Sequence, residues 1–117
     1  ITESLFNTLL EKNIASTIEH YHDLKKKYPD NYNFSEGELN RLGYQLLGLE
    51  KVDEAIEIFK LNVEVYPTSS NVYDSLGEAY MNNNQKELSV KNYEKSIELN
   101  PKNANAIKML KKLNENN

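Results

Sequence analysis

Between Glu38 and Pro101 one arrangement of apolar and small residues occurs twice, each counterpart lying 34 positions further on. Leu42, Gly43, Leu46, Ala55, Phe59 and Pro67 become Leu76, Gly77, Tyr80, Ser89, Tyr93 and Pro101. A fixed period of this length marks a helical repeat array, in which stacked neighbours bury faces that one unit cannot bury alone. Three- and four-residue spacing of the apolar positions predicts two helices per unit. The first pair runs from about Ser35 to Gly48, with Leu39, Leu42, Leu46 and Leu49 inward, and from Val52 to Tyr66, with Val52, Ala55, Ile56, Phe59, Val63 and Val65 inward. The second runs from Ser70 to Asn82, with Val72, Tyr73, Leu76 and Tyr80, and from Lys86 to Leu99. Gly43 and Gly77 cost helix propensity, about 1 kcal/mol each relative to Ala, which is tolerable where a partner helix packs against bare backbone.

The flanks follow the same plan less closely. Leu5, Phe6, Leu9 and Leu10 predict a helix over Thr2–Leu10. Ile14, Ile18, Tyr21, Leu24 and Tyr28 predict a second, stopped by Pro29. Set against Val52, Ile56, Phe59, Tyr66 and Pro67 this run is offset by 38, which places a four-residue insertion in the loop 30–34. After Asn103 a last helix, Ala104–Leu113, turns Ile107, Leu110 and Leu113 inward. Lys111 stands where the repeat has glycine, so this is a polar closing helix, followed by a frayed tail 114–117. The expected fold is all-α, a right-handed superhelix forming one domain over 1–117. It comprises a divergent repeat at 1–29, repeats at 36–67 and 70–101, and a capping helix at 104–114.

Local signals fix several boundaries. Ser35-x-x-Glu38 has the form of a capping box, with Phe34 and Leu39 as a hydrophobic staple. The run Asn82-Asn83-Asn84 reads as a turn, since asparagine tolerates left-handed backbone, and Asn84-x-x-Glu87 as a cap for the next helix.

Composition narrows the function. The 117 residues carry a net charge of −4, which opposes non-specific binding to nucleic acid or anionic membranes. There is no cysteine, hence no disulfide or thiolate metal site, and no apolar run approaches the ~20 residues of a membrane span. The chain opens at Ile1 with no basic-then-apolar leader, so it reads as a piece of a longer protein whose export signal, if any, lies upstream. His20 and His22, two apart on a helix, point to opposite sides and cannot share a metal. No Gly-x-Ser-x-Gly elbow and no glycine-rich phosphate loop occurs, so no catalytic residue, metal or cofactor is expected. Asn33-Phe34-Ser35 matches a glycan acceptor in form only. The tyrosines fall at core spacing without interleaved basic residues, unlike a base-stacking surface.

The spacing Tyr73-x2-Leu76-Gly77-x2-Tyr80, like Ala55-x3-Phe59 followed by Pro67, resembles the tetratricopeptide repeat. The resemblance implies that the first helix of each pair lines a concave groove. Asn40, Tyr44 and Leu47 would face it from one unit, and Asn71, Asp74, Glu78 and Met81 from the next. Lys108 and Lys112 are the counterparts of Asp74 and Glu78 on the closing helix. Two readings stand. The four charges form two exposed ion pairs between adjacent helices, or they and their neighbours bind a peptide or loop, with Tyr44 and Met81 as apolar contacts. The lysines resemble the basic residues by which some such arrays hold a peptide's C-terminal carboxylate, without the asparagines at matching positions.

A narrower resemblance covers Phe34–Leu47, Phe59–Pro67 and Asn71–Tyr80, which look like repeats at the C-terminus of bacterial serine hydrolases, either of the β-lactamase or penicillin-binding type or α/β-hydrolase esterases. It implies a fragment once tethered to a catalytic domain. The expected function is an interaction scaffold for a protein or peptide segment, that of the parent's own catalytic domain included. The alternative is a structural appendage that packs on the hydrolase domain or shapes its homodimer.

Overall fold

The computed structural model describes residues 1–115, and its seven helices carry no strand between them. They are α1 (Thr2–Glu11), α2 (Ile14–Lys27), α3 (Glu36–Gly48), α4 (Val52–Val65), α5 (Ser70–Asn82), α6 (Lys86–Leu99) and α7 (Ala104–Glu115). Pairs form in chain order: α1 on α2, α3 on α4, α5 on α6, with α7 closing on α6. The first helices of the pairs also meet, α1 with α3 and α3 with α5, while α2 meets α4 on the other side. Two layers result, in a slab of 45 × 26 × 17 Å, the elongated form of a solenoid whose units touch only their neighbours. Each second helix of a pair stops at the same signal. Tyr28, Tyr66 and Asn100 are the C-caps of α2, α4 and α6, and each precedes a proline that excludes helical backbone before it.

Helix α4 is the most enclosed, because α2, α3 and α5 all pack on it. Ala55, Ile58 and Phe59 are wholly buried, and so are Leu39, Leu42 and Leu46 opposite them on α3. A Cβ on Gly43 would overlap the Phe59 ring, so this glycine is what lets α3 and α4 approach. One repeat later a Cβ on Gly77 would sit 3.1 Å from the Tyr93 ring, a tight but softer fit. Around α4 one apolar cluster extends from Leu5 to Tyr80, and a smaller one joins Tyr93 to Ala106 and Leu113.

Four side chains expected inward are exposed. Leu49 is 51% exposed because it is the C-cap, where the chain has already left α3. Tyr28 is exposed at the equivalent place after α2. Among the described residues, no helix covers the face of α1 that carries Leu10, and none covers Ile107, counterpart of the half-buried Tyr73. The buried face of α7 is instead Ala106 and Leu113, flanked by half-buried Met109 and Leu110. That helix continues through Asn114 and Glu115, so fraying does not begin at Asn114, and the expectation for residues 116 and 117 lies outside the described residues.

Neither predicted cap forms. Ser35 is the N-cap of α3, but its hydroxyl makes no capping bond. Its N–H, which the box assigns to Glu38, is taken by Asn33 Oδ1 at 3.0 Å. Glu38 is drawn away by the Thr2 hydroxyl, which donates to its carboxylate at 2.6 Å and ties α1 to α3. The staple pair survives, since Phe34 and Leu39 join the same cluster and Phe34 meets Tyr21 edge-on. At the other site Gln85 is the N-cap of α6, and Asn84 takes the left-handed turn with φ 60°. Its counterpart Glu50 does the same with φ 61°. Both close a Schellman motif, with Lys51 N–H donating to Leu46 C=O and Gln85 N–H to Tyr80 C=O, each at 2.9 Å.

Candidate functional site on the concave face

Helices α3, α5 and α7 carry all nine groove candidates on one layer. Packing joins one pair of them directly, Tyr44 and Glu78. Asn40 on α3 accepts from the Ser75 hydroxyl of α5. Tyr44, a turn further along α3, donates to Glu78 Oε1 at 3.2 Å while its ring meets Phe59 edge-on. Burial pushes its phenol up to about 12, Glu78 and Asp74 adding to the rise and the Ser75 hydrogen bond opposing it. Leu47 and Met81 are half-buried against the two apolar clusters.

The expected ion pairs are absent. Lys108 and Lys112 are exposed, and among the described residues neither reaches a carboxylate within ion-pair distance. Asp74 is satisfied by carboxamides instead: Asn103 Nδ2 donates to Oδ2 at 3.0 Å and Asn105 Nδ2 to Oδ1 at 2.8 Å. Two short, fixed amides at the start of α7 reach Asp74 more directly than a long lysine further along the helix. Asn103 also caps α7, its Oδ1 accepting from Ala106 N–H at 3.2 Å. The first of the two readings of these charges is therefore corrected: the acids are held within the array, but not by the lysines.

Three further polar residues, Glu36, Asn62 and Ser75, join Asn40, Asn71 and Asp74 around one pocket. Between the first turns of α3 and α5 lies a pocket of about 380 Å³, lined by Glu36, Gly37 and Asn40 from α3, Asn71, Val72, Asp74 and Ser75 from α5, and Asn62 from α4. Asn62 is wholly buried at its floor. Its Nδ2 donates to Glu36 C=O at 2.9 Å, pinning α4 to α3, while its Oδ1 has no hydrogen-bond partner. Asn62 and Ser96 are 34 apart, so the repeat places a polar residue at the same core position in both units. The other face holds a larger cleft, about 710 Å³, where α4 and α6 diverge over Val63, Tyr73, Leu76, Tyr80 and Leu88. Tyr73 and Tyr80, read as core, form part of its wall.

Residues 70–103, the third helix pair and its exit turn, match the model of the tetratricopeptide repeat. The whole array also superposes on solved superhelices of that type. This is a tetratricopeptide repeat fold. A crystal structure of MamA matches with TM-score 0.66 at 24% identity, over 94% of this chain and 62% of that one. The first such domain of Spaghetti (RPAP3), bound to an HSP90 peptide, matches with TM-score 0.67 at 20% identity, over 97% and 87%. The first such domain of human RPAP3 matches with TM-score 0.67 at 21% identity, over the same shares. This chain thus spans less than two thirds of the MamA structure. No curated protein matches it in sequence. The layer formed by α3 and α5, the first helices of their pairs, is the one that holds Tyr44, Asn71, Asp74 and the pocket.

Proposed function

We propose that this chain is an interaction scaffold that binds an extended or helical polypeptide segment along α3, α5 and α7. The observation that carries the reading is the polar pocket between α3 and α5, open on the layer where Tyr44 offers a 37%-exposed aromatic face. Aromatic anchors beside fixed polar groups are the usual means of peptide recognition. The peptide held by the similar RPAP3 domain supports the same use of the fold. Glu36 and Asp74 bring two carboxylates to the pocket, which no lysine or arginine lines, so affinity for a cationic segment should fall as salt rises. Selection from a random heptapeptide library tests the proposal. Selected peptides should lose about tenfold in affinity to a Tyr44→Ala variant, and a library yielding none would remove the reading. Neither β-lactam nor ester should be turned over by the chain: Ser4 Oγ and His20 Nε2 lie 2.9 Å apart, but among the described residues no carboxylate is hydrogen-bonded to that histidine to orient it. The narrower hydrolase resemblance offers one source for the segment, the catalytic domain of the parent, and titration with that domain supplied in trans tests it.

A further inference from the structure

Two successive junctions of the array are built from the same five positions and end differently. At the α5–α7 junction, Ser96 Oγ donates to Ser70 C=O at 2.8 Å, and Asn103 Nδ2 reaches Ser96 Oγ at 2.9 Å and Asp74 at 3.0 Å. Asn105 completes the arrangement on Asp74. Both Asp74 carboxylate oxygens, Asn103 Oδ1 and the Ser70 and Ser96 carbonyls meet an N–H or O–H donor there. Shifted back by 34, Ser70, Ser96, Asn103, Asp74 and Asn105 become Glu36, Asn62, Ser69, Asn40 and Asn71. Asn62 repeats the pin to α3. Ser69, however, is too short to extend an N–H donor as Asn103 does, and the place filled one repeat later by carboxamides is the 380 Å³ pocket.

What remains in that pocket is one unpartnered acceptor beside two carboxylates. Asn62 Oδ1, wholly buried, has no partner, and such an acceptor costs on the order of 1–3 kcal/mol until one arrives. Glu36 and Asp74 bring two carboxylates and no lysine or arginine lines the walls. The N-termini of α3 and α5 oppose a cation, but each contributes only about half a charge against a full one from each acid. The volume falls at the small end of the roughly 300–1,000 Å³ of ligand pockets.

We infer that this pocket between α3 and α5 receives a cationic N–H donor, the ammonium or guanidinium of a lysine or arginine side chain in the bound polypeptide. The inference deepens the scaffold reading and rests on it for the polypeptide, though not for the chemistry of the pocket. The ammonium group supplies three donors, and guanidinium five in a planar fork, to a site that holds one unpartnered amide oxygen, Asn62 Oδ1, beside two carboxylates.

The probes are n-butylammonium and methylguanidinium chloride, titrated into isotopically labelled chain and followed by NMR at the Asn62 and Asn71 carboxamides and the Ser75 amide. Saturable shifts at these three residues are expected, absent with sodium chloride at equal ionic strength. A Glu36→Gln, Asp74→Asn double variant should weaken binding at least about tenfold, since hydrogen bonds to charged groups are the strong ones. As a second variant, Asn62→Ser copies the residue the molecule already uses at Ser96, so it should fold and still weaken the probe severalfold. Shifts equal to those of sodium chloride, or saturation by sodium acetate instead, would overturn the inference. Selected peptides that bind the concave face equally well after lysine acetylation and arginine removal would also overturn it, while leaving the scaffold reading intact. Conversely, probe binding with no peptide binding would sink the scaffold reading and keep the pocket.

Discussion

The second and third helix pairs are the same design executed with different side chains. Helices α3 and α4 close on Gly43 and Phe59, and α5 and α6 close on Gly77 and Tyr93. In the second pair the ring presses so near the glycine that no Cβ fits. In the third a Cβ almost fits, but the ring carries a hydroxyl, wholly buried and without a partner. At the ring itself, one pair spends its close approach on packing and the other tolerates an unsatisfied hydroxyl. The difference teaches that the 34-residue period specifies where a ring and a glycine meet, while the fit between them is set locally.

The largest expected effect comes from removing a ring. Phe59→Ala should cost roughly 3–5 kcal/mol in chemical denaturation, because Phe59 sits at the centre of the large apolar cluster. Tyr93→Ala, in the smaller cluster, should cost less, and a reversed order would break the comparison. Next come the glycines. Gly43→Ala should destabilise by about 1–3 kcal/mol, since overlap with Phe59 outweighs the gain in helix propensity. Gly77→Ala should be close to neutral, with the slack at Tyr93 and the propensity gain nearly cancelling.

Smaller effects sharpen the contrast. Tyr93→Phe imports the ring of the second pair and should stabilise by about 1 kcal/mol at neutral pH by deleting the unpaired hydroxyl. It should also flatten the alkaline limb of the stability curve. Burial raises the Tyr93 phenol well above its ordinary value, with Asp74 and Glu78 adding to the rise. The unfolded chain ionises such a phenol near pH 10, so the folded state holds the proton longer. Its contribution is therefore intact below about pH 10 and is lost as the pH rises beyond that. Tyr21, pushed up to about 12 by burial with Tyr66 adding to the rise, and Tyr44, raised as far, lose their shares between about pH 10 and 12 and should remain as the residual slope. Last, Glu50→Asn copies Asn84 at the left-handed turn and should stabilise by about 0.5–1 kcal/mol, measured by thermal denaturation.

Much of the fold could be read from the chain because repeats announce themselves through apolar periodicity and proline stops. All four boundaries from Val52, Ser70, Lys86 and Ala104 match helix starts in the structure. Gly43 and Phe59 meet as their spacing implied. The caps were misread because a motif such as Ser35-x-x-Glu38 states what two side chains can do, and Thr2, 36 residues away, competes for one of them. Leu49 and Ile107 were misplaced for a related reason: periodicity says which way a residue points along a helix, not whether anything covers it there. The groove was half legible. Asn40, Tyr44, Asn71, Asp74 and Glu78 do share one layer, but sequence phase paired Asp74 with Lys108 when the short amides of Asn103 and Asn105 stood nearer. Asn62 escaped notice because its importance lies in what it lacks, a partner for Oδ1.

The central claim, that the concave layer and not the outer cleft receives a polypeptide, is tested most directly by mapping a selected heptapeptide on the labelled chain by NMR. The account predicts shifts along α3 and α5 and at the start of α7, centred on Tyr44, Asn71 and Ser75. Shifts confined to Val63, Tyr73, Leu88 and their neighbours in the cleft between α4 and α6 would contradict it.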